Sequence, residues 1–395
     1  MKKQKICIIG GGLTGLITAL VLSKLNLDVD LVTGSNEGII KSNRTTAISQ
    51  DNYNFLKKLK IIDSSKIDIW PCSKMQLYSK NKSEKFEEIF KINKDEKLEE
   101  KILYMINNNQ VIKNLIKNIK NTNSINLKPE KNVSGIVNNG LLKSLQFKNS
   151  DSSKYNLIII CTGGAANTLI KNKDNKVYKH SYDELAVTTI VKHNYFKNNI
   201  AKQIFLDNEI FALLPISNNK TSIVWSLKKK LVKKFYKNIQ YENFFRKNIY
   251  KYTKVFLKKP KLSSKIEYGE LNFMIRNKCY SDRVLLFGDC LHMAHPLAGQ
   301  GFNMILRDLI NLEQLIRRKL NLGLDIGSLD TLKEFSDEIS PRNFVYSFGI
   351  DFLRKTFSIN EKPFKSIRNL LISNLNKNNY IKDFAYEIAN RGLRF

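Results

Sequence analysis

The spacing of apolar and polar positions predicts alternating strands and helices from almost the first residue. Residues 5–9 form an apolar run typical of a buried strand, and residues 16–25 form an apolar helix. Consecutive glycines at positions 10–12 separate the two, and a second strand is predicted at residues 27–33. This order of strand, glycine turn, helix and strand is typical of an α/β fold.

Further elements follow the same patterning. Apolar runs at residues 155–161 and 283–287 predict strands, and the amphipathic spacing of residues 111–119 predicts a helix. With 395 residues, the chain is long enough for two or three domains. Apolar residues make up 42% of the chain, which places it among globular rather than disordered proteins.

The chain is strongly basic, with 66 Lys and Arg against 36 Asp and Glu and a net charge of +30. Lysine, asparagine and isoleucine are abundant throughout, so a composition bias of the whole sequence explains much of this charge. The cysteines are scattered and form no C-x-x-C pair, which favours a reducing compartment without a disulfide framework. They are Cys7, Cys72, Cys161, Cys279 and Cys290.

The uncharged run at residues 6–23 has the length of a signal peptide or a short membrane span. The glycines at positions 10–12 break this run into a strand and a helix, and no small-residue cleavage site follows it. We therefore expect the run to belong to the folded domain.

The turn between the first strand and helix has the spacing G-x-G-x-x-G, which in this context is typical of a dinucleotide-binding site. Gly10 permits the tight turn, Gly12 lets the backbone approach a pyrophosphate, and Gly15 allows close packing of the helix. Leu13 and Thr14 open the helix, whose N-terminus would face the phosphates. The turn predicts binding of an ADP moiety, and a plain glycine-rich turn is the alternative.

The second strand lacks the residue that usually completes such a site. An acidic side chain is expected at its end to hold the adenosine ribose, and Thr33 stands there. Glu37 or the Ser35 hydroxyl could take its place, or Thr33 could be a plain strand terminus.

The most specific motif lies at residues 283–303, where a strand leads into a Gly-Asp pair, a proline-containing turn and a Gly-Gln-Gly sequence that opens a helix. This segment resembles the second FAD signature of flavoprotein aromatic hydroxylases of the para-hydroxybenzoate hydroxylase type. Within that group it is most similar to the ubiquinone-biosynthesis hydroxylases, whose motif is G-D-A-A-H-x-x-H-P-x-A-G-Q-G-x-N.

The resemblance implies that FAD is the bound cofactor and assigns roles in this segment. A glycine beside Asp289 would admit the ribityl and phosphate chain, and the carboxylate would accept its hydroxyl hydrogen bonds. Backbone amides at the second helix N-terminus would stabilise negative charge on reduced flavin near N1 and O2. Pro296 would lie at the reactive flavin edge as the catalytic positioning residue. The implied cofactor-binding residues here are Gly288, Asp289, Gly299, Gln300, Gly301 and Asn303.

A metal site is an alternative for the same segment, because Cys290, His292 and His295 form a C-x-H-x-x-H cluster. A single cluster on one turn lacks the distant ligands that would complete such a site. We favour a structural role for the two histidines and expect no metal.

Other segments similar to the family follow in order over residues 6–368. Residues 43–49 are similar to its D-x-R-x-x-A-L-S segment, in which Arg44 would contact the flavin side, with a surface ion pair as the alternative. At the position of the A-D-G-x-x-S motif, the expected acid is replaced by Gly163. In the family that acid is tied to FAD and NAD(P)H engagement, so the departure weakens the prediction about the reductant more than that about the flavin.

The densest charge lies at residues 228–265, which carry 14 Lys and Arg, one acidic residue and eight aromatic residues. No recognition-helix, RNA-binding or zinc motif accompanies them, so we expect no nucleic-acid partner. Docking on anionic lipid and a lysine-rich solvated face remain as two interpretations.

The predicted architecture is α/β, with a Rossmann-like FAD-binding domain, an inserted mixed β-sheet substrate domain and a helical C-terminal segment. The flavin is expected between the first two. The FAD-binding domain is predicted at residues 1–70, 100–175 and 270–330, the substrate domain at 71–99 and 176–269, and the C-terminal segment at 331–395.

The resemblance implies an NAD(P)H-dependent monooxygenase that hydroxylates the aromatic ring of a polyprenylated phenol in ubiquinone biosynthesis. NADH or NADPH would be the reductant, O2 the second substrate, and a flavin C4a-hydroperoxide the oxygen donor. We expect a cytoplasmic protein with peripheral association with the inner membrane and a biosynthetic complex. The departures at Thr33 and Gly163 leave one alternative open, a non-catalytic flavoprotein that serves as a scaffold in such a complex.

Overall fold

The structure, a computed structural model, describes residues 3–34, 44–62, 67–80, 85–94, 100–129, 133–147, 153–163, 176–233, 239–359 and 361–392. Within these residues the strands are β1 (Gln4–Ile9), β2 (Leu27–Val32), β3 (Thr45–Ser49), β4 (Ile69–Cys72), β5 (Lys74–Lys80), β6 (Phe86–Asn93), β7 (Leu103–Asn107), β8 (Ile125–Lys128), β9 (Val133–Asn139), β10 (Leu142–Phe147), β11 (Lys154–Tyr155), β12 (Leu157–Ile160), β13 (Val177–Lys192), β14 (Ile200–Leu206), β15 (Glu209–Ser217), β16 (Lys220–Lys228), β17 (Lys261–Leu262), β18 (Glu267–Arg276), β19 (Tyr280–Ser281), β20 (Val284–Leu286) and β21 (His292–Met293). The helices are α1 (Leu13–Leu22), α2 (Gln50–Lys58), α3 (Asn108–Lys120), α4 (Lys229–Lys233), α5 (Ile239–Thr253), α6 (Gln300–Asn321), α7 (Leu329–Ser358), α8 (Lys362–Leu375) and α9 (Asn379–Arg391).

A six-stranded sheet in the order β19-β20-β12-β1-β2-β8 forms the first half of the fold. From β20 to β8 all its strands pair in parallel, as in a Rossmann-like sheet. Both faces are covered, so its central strands β12 and β20 are wholly apolar, whereas β1, β2 and β8 also carry polar residues. On β1, Ile6 and Ile8 pack in the cluster formed with α1, α3 and α6, whereas Cys7 and Ile9 pack toward β9 and β10.

A second, nine-stranded sheet has the order β21-β18-β13-β16-β15-β14-β5-β6, with β17 paired to β13. Its pairs are antiparallel except β14 with β5, so the mixed sheet predicted for the substrate domain is present. Trp225 and Phe211 fill its core together with Phe245 and Ile249 of α5. The described aromatic residues of the basic segment 228–265 therefore lie largely in the core rather than on its surface.

A third, small sheet, in the order β3-β7-β4, connects the two halves. Two strands cross predicted domain limits: β4 spans the limit at residue 70, and β18 spans the limit at residue 270 while lying wholly in the nine-stranded sheet. Strand β21 also belongs to that sheet, although it lies within the segment 270–330. At these three places sheet pairing differs from the predicted division, and the other limits stay a prediction.

The C-terminal segment is helical, as predicted, and α7, α8 and α9 pack across both halves. Phe357 of α7 stacks on Phe205 of β14 at 3.6 Å between ring centroids, and Asn390 of α9 bonds Asp51 of α2. Within the described residues, no helix combines the length and the apolar character needed to span a bilayer.

Candidate functional site

The first glycine turn joins β1 to α1 at the carboxyl edge of the parallel sheet. Gly10 has φ +139°, and a Cβ on it would lie 2.7 Å from the Cys161 carbonyl oxygen. A Cβ on Gly15 would lie 2.0 Å from the Gly10 carbonyl oxygen. Both glycines are therefore required for the close packing of β1, β12 and α1. A Cβ on Gly12 would meet nothing within 4 Å, so the backbone there faces open space.

The N-terminus of α1 can accept an anion. Gly12 is its N-cap, no side chain caps the helix, and its first turn holds no acidic residue. Leu13 and Thr14 are half-buried at this end. The first backbone N–H groups therefore remain available, and the helix dipole favours negative charge there. These residues fit the pyrophosphate of FAD.

The second glycine turn, which follows β20, lies directly against the first. Gly288 has φ +72°, and a Cβ on it would lie 2.7 Å from Thr14 Cγ2. A Cβ on Gly163, which follows β12, would lie 3.9 Å from Asp289 Cβ. The ends of β1, β12 and β20 thus meet at one edge, which is where ligands bind in open parallel sheets.

Asp289 is open to solvent on one side, where its carboxylate is free to accept hydrogen bonds. The protein packed around the carboxyl raises its pKa, and nearby His292 opposes that shift. The position at the end of β20 fits the role that the resemblance implies for this acid.

Thr33 is buried at the end of β2, where its backbone N–H donates to the Lys128 carbonyl oxygen at 3.1 Å. The acid of this strand, Asp30, lies three residues earlier and pairs with Lys5 at 3.2 Å and Lys128 at 2.9 Å. Asp30 therefore belongs to the sheet and does not replace the missing ribose ligand. The predicted substitutes at positions 35 and 37 lie outside the described residues.

The third turn opens α6. Gly299 is its N-cap at φ +65°, and a Cβ there would lie 2.9 Å from Ala47 Cβ on β3. No side chain caps α6, and a Cβ on Gly301 would meet nothing within 4 Å. Gln300 is held by the Tyr346 hydroxyl, which donates to Gln300 Oε1 at 2.7 Å. The start of α6 is a second helix N-terminus that can face negative charge.

Asn303 on the first turn of α6 has its side-chain amide fully bonded to protein. Its Oδ1 accepts from the Ser49 backbone N–H at 2.8 Å and from Asn52 Nδ2 at 3.0 Å. Its Nδ2 donates to the carbonyl oxygens of Ala47 at 3.1 Å and Gly299 at 3.3 Å. The side chain therefore positions the third turn against β3 and α2. From the sequence alone, this role could not be distinguished from the predicted direct contact with a cofactor.

Arg44 lies between the small sheet and the nine-stranded sheet. Its Nε is 4.0 Å from Glu267 Oε2 on β18, and its side chain is 58% exposed. A flavin contact and a surface ion pair, the two predicted roles, both fit this position.

Pro296 immediately precedes the short 3-10 turn Leu297–Gly299 that leads into α6. Along the chain it thus stands between β21 of the nine-stranded sheet and the third glycine turn, and its place at the flavin edge stays a prediction.

The C-x-H-x-x-H residues have separate structural partners. His292 Nε2 lies 2.8 Å from Asp308 Oδ2, His295 Nε2 lies 3.2 Å from Glu184 Oε2, and Cys290 Sγ lies 3.3 Å from the Gly163 carbonyl oxygen. Within the described part of the chain, no group of His, Cys, Asp and Glu is arranged to hold a metal ion.

Sequence reasoning missed a buried charge cluster beside Pro296. Glu184 on β13 is 4% exposed and bonds His295, Arg354 of α7 and Lys228. Burial alone would raise the pKa of Glu184, but hydrogen bonds from His295 and Arg354 lower it to about 2. Burial lowers the pKa of His295, whose Nε2 lies within hydrogen-bonding distance of the Glu184 carboxylate. The available signal was weak, because Glu184 follows a polar stretch of β13 and only the residues after it are largely apolar.

A second missed residue is Arg276, which is buried at the end of β18. Its Nε donates to the Cys290 carbonyl oxygen at 2.7 Å and so holds the turn that carries Asp289. The signal in the sequence was a charged residue directly after the apolar stretch near the end of β18.

Comparison with known proteins identifies a family and several relatives of this chain. The family model described as FAD binding domain matches residues 3–331. Ubiquinone biosynthesis monooxygenase COQ6 of Dictyostelium discoideum is 25% identical over 341 residues, which cover 72% of this chain and 68% of that protein. Ubiquinone hydroxylase UbiL of Rhodospirillum rubrum is 29% identical over 189 residues, which cover 48% of this chain and 44% of that protein.

Solved structures share the fold. The p-nitrophenol 4-monooxygenase PnpA of Pseudomonas putida matches with a TM-score of 0.77 at 14% identity, covering 100% of both chains. HpxO of Klebsiella pneumoniae, complexed with FAD and uric acid, matches with a TM-score of 0.75 at 12% identity, covering 98% of this chain and 97% of that one. Because the family match at residues 3–331 spans well over half of the chain, the chain belongs to the FAD binding domain family and is a flavin-dependent monooxygenase with FAD as its cofactor.

Proposed function

We propose that this flavoprotein hydroxylates the aromatic ring of a polyprenylated phenol on the route to ubiquinone, with NADH or NADPH as reductant and O2 as oxidant. The similarity to COQ6 and UbiL supports this substrate class. The observation that carries the proposal is the contact between Gly288 and Thr14, which brings the two glycine motifs to one edge of the sheet.

The residues at this edge match the parts of FAD. The α1 N-terminus at Gly12 would hold the pyrophosphate, and the Asp289 carboxylate would accept hydrogen bonds from the ribityl hydroxyls. The amides at residues 299–301 would stabilise negative charge on the N1 and O2 side of the ring. When bound, FAD supplies the redox chemistry, accepting hydride from the nicotinamide and activating O2.

The protein's own contribution is to orient the substrate and exclude water. Pro296 is proposed to form the edge against which the phenol ring is held. The next residue, Leu297, is buried in an apolar cluster with Phe205 and Met304, which is proposed to exclude water from this side of the flavin ring. Asn303 and Arg276 are proposed as positioning residues, because each holds a glycine turn rather than a ligand.

One observation favours the scaffold alternative. Thr33 and Gly163 stand where the family has acidic residues, and Asp30 is committed to Lys5 and Lys128. A protein that binds FAD without these acids could fail to be reduced by a pyridine nucleotide.

Anaerobic titration separates the two functions. We expect the purified protein to show oxidised-flavin absorption bands that NADH or NADPH bleaches. In air, a polyprenylated phenol should accelerate nucleotide oxidation and yield a product heavier by one oxygen atom in mass spectrometry. Bound flavin that neither nucleotide reduces would favour the scaffold, and rapid reduction without a hydroxylated product would contradict the substrate class.

A further inference from the structure

The C-terminal helices expose an unusual amount of apolar surface. Among the described residues, 12 of the 22 exposed large hydrophobic side chains lie between positions 345 and 384. Single exposed apolar residues are ordinary on protein surfaces, but a concentration of them marks an interaction site.

Helix α8 differs from an ordinary surface helix because it exposes an apolar stripe on its outer side. Its outward residues follow helical spacing and are between 42% and 63% exposed: Phe364, Ile367, Leu370, Leu371 and Leu375. Its inward side carries Arg368, which is buried and donates to the Thr356 carbonyl oxygen at 3.0 Å. In a helix surrounded by water on its outer side, the apolar stripe is expected to face the core.

Helix α9 continues this apolar surface. Tyr380 and Phe384, spaced i and i+4, are 87% and 65% exposed. Three residues join α8 to α9, and both helices pack against β6, so their outward sides belong to the same side of the molecule. We call the seven outward residues of the two helices the α8–α9 face.

The opposite side of the two helices reaches the candidate site. Ile372 of α8 and Ile388 of α9 pack against the buried cluster that contains Leu297 and Phe205. Leu297 adjoins Pro296, the residue proposed at the flavin edge. The side of the two helices opposite the α8–α9 face therefore packs on the buried cluster that adjoins Pro296.

The segment that forms this surface is basic in sequence, although Arg368 is buried on its inner side and Arg391 pairs with Asp51 and Glu387. Residues 361–391 carry six Lys and Arg against three Asp and Glu, in a chain of net charge +30. An exposed apolar stripe on a basic helix is the arrangement that binds at the surface of an anionic bilayer. The basic segment 228–265 differs, because its Phe245 and Ile249 are buried in the core of the nine-stranded sheet.

We propose that the α8–α9 face docks on an anionic lipid bilayer, with its apolar side chains inserted among the lipid headgroups. Docking there would turn the helices that pack on the cluster beside Pro296 toward the phase in which a polyprenyl chain dissolves. The proposal of docking is argued from the exposed apolar residues alone. Its link to substrate delivery rests on the proposed hydroxylase function.

Flotation of the FAD-loaded full-length protein with lipid vesicles tests the surface. We expect the protein to float with vesicles of phosphatidylcholine and phosphatidylglycerol, and to float less with phosphatidylcholine alone or at high salt. The double variant Ile367→Glu with Leu371→Glu should weaken binding at least tenfold. The matched control is Leu141→Glu, which alters an 88% exposed apolar residue outside the α8–α9 face and should bind like the wild type.

Several outcomes would overturn the proposal. Wild-type protein that stays unbound with anionic vesicles, or a double variant that floats like the wild type, would do so. Loss of binding in Lys247→Glu with Lys251→Glu, together with retention in the double variant, would assign docking to the basic segment instead. A wild-type dimer that the double variant converts to a monomer, without vesicle binding, would assign the surface to a second copy.

Further measurements distinguish a loss of docking from misfolding of the variant and from a failure of the proposed hydroxylase activity. The flavin absorbance of each variant reports folding, and a polarity-sensitive fluorophore on Leu371→Cys should shift to the blue on anionic vesicles; an unchanged spectrum would count against insertion. Turnover with a short-chain phenol in the absence of vesicles should persist in the double variant, so a failed hydroxylation assay remains distinguishable from failed docking.

Discussion

Gly288 adopts φ +72° and lies against Thr14, so one side-chain-free position sets the distance between the second motif and α1. The Asp289 carboxylate depends on this spacing for its place at the sheet edge. Asn303 shows the converse, because all its amide groups are used to hold the third turn in place. Some residues of a motif therefore contact the cofactor, and others position the turns that do. The sequence pattern alone does not distinguish these two roles.

Replacing Gly288 by alanine should lower the free energy of unfolding by about 2–4 kcal/mol, because the new Cβ meets Thr14 Cγ2 in a backbone conformation that L residues rarely adopt. FAD content should fall with it. Thr14→Ser removes Cγ2, so the double variant should recover the steric part of the loss. Urea unfolding of the two single variants and the double variant measures this coupling, and strictly additive effects would contradict the proposed contact.

Glu184 should make the free energy of unfolding depend on pH. Its folded pKa of about 2 lies below the unfolded value of about 4.3, so its stabilisation is complete above the unfolded pKa and is lost as the pH falls toward 2. His295, whose pKa burial lowers, acts in the same direction, because the unfolded ring takes up a proton first, below about pH 6.5.

Glu184→Gln should therefore cost about 3–5 kcal/mol at pH 7, since Arg354 is left as a buried charge without its partner. It should also flatten the loss of stability between about pH 5 and 2. Urea unfolding across this range gives both quantities. Glu334→Gln, which alters a surface pair with Lys319, is the control and should cost less than about 1 kcal/mol. If the free energy of unfolding of Glu184→Gln fell as steeply at low pH as that of the wild type, Glu184 would be excluded as the origin of the acid sensitivity.

At the scale of elements, the helix N-termini carry the proposed chemistry. Both α1 and α6 begin at a glycine N-cap without a side-chain cap, which leaves their first N–H groups available to a ligand. A surface helix usually caps itself with Ser, Thr, Asp or Asn, as α7 does with Ser328. The missing caps are consistent with anionic groups on the ligand taking that role.

Gly12→Asp tests this reading of α1. A side chain fits there without a clash and would cap the helix, so the FAD-free protein should gain a few tenths of a kcal/mol. The carboxylate would repel the pyrophosphate, and FAD affinity should fall at least tenfold. Gly12→Asn caps without charge and should lose less affinity. Fluorescence titration with FAD compares them, and equal affinities would argue against phosphate binding at this end.

The pattern of the sequence predicted element types better than element limits. The helix predicted at residues 16–25 runs from Leu13 to Leu22, because it begins at the open glycine N-cap rather than at the first apolar residue. The helix predicted at residues 111–119 extends over Asn108–Lys120, where the Asn107 side chain caps it by accepting from the Gln110 backbone N–H. Apolar periodicity reports burial, whereas helix ends depend on caps, so limits shift by a turn.

At the scale of the whole molecule, packing accounts for the scattered cysteines. Four of the five are buried and Cys161 is half-buried, and no pair forms a disulfide. Burial raises the pKa of Cys279 to about 12 and that of Cys290 to about 11, so neither thiol forms the reactive thiolate near neutral pH.

Thiol titration checks this packing. At pH 8 the native protein should show at most one slowly reacting thiol, Cys161, and all five should react once the chain is unfolded in urea. Two or more thiols that react rapidly in the native state would contradict the described core.

By itself the sequence determined the order of strands, glycine turns and helices, and the residue types at each turn. These features are local, because a glycine's conformational freedom and a helix period act over a few neighbours. Tertiary structure decided which turns meet, where Glu184 finds Arg354, and that α8 presents its apolar stripe outward. Such contacts join positions far apart in the chain and depend on strand order and packing, which no local pattern encodes.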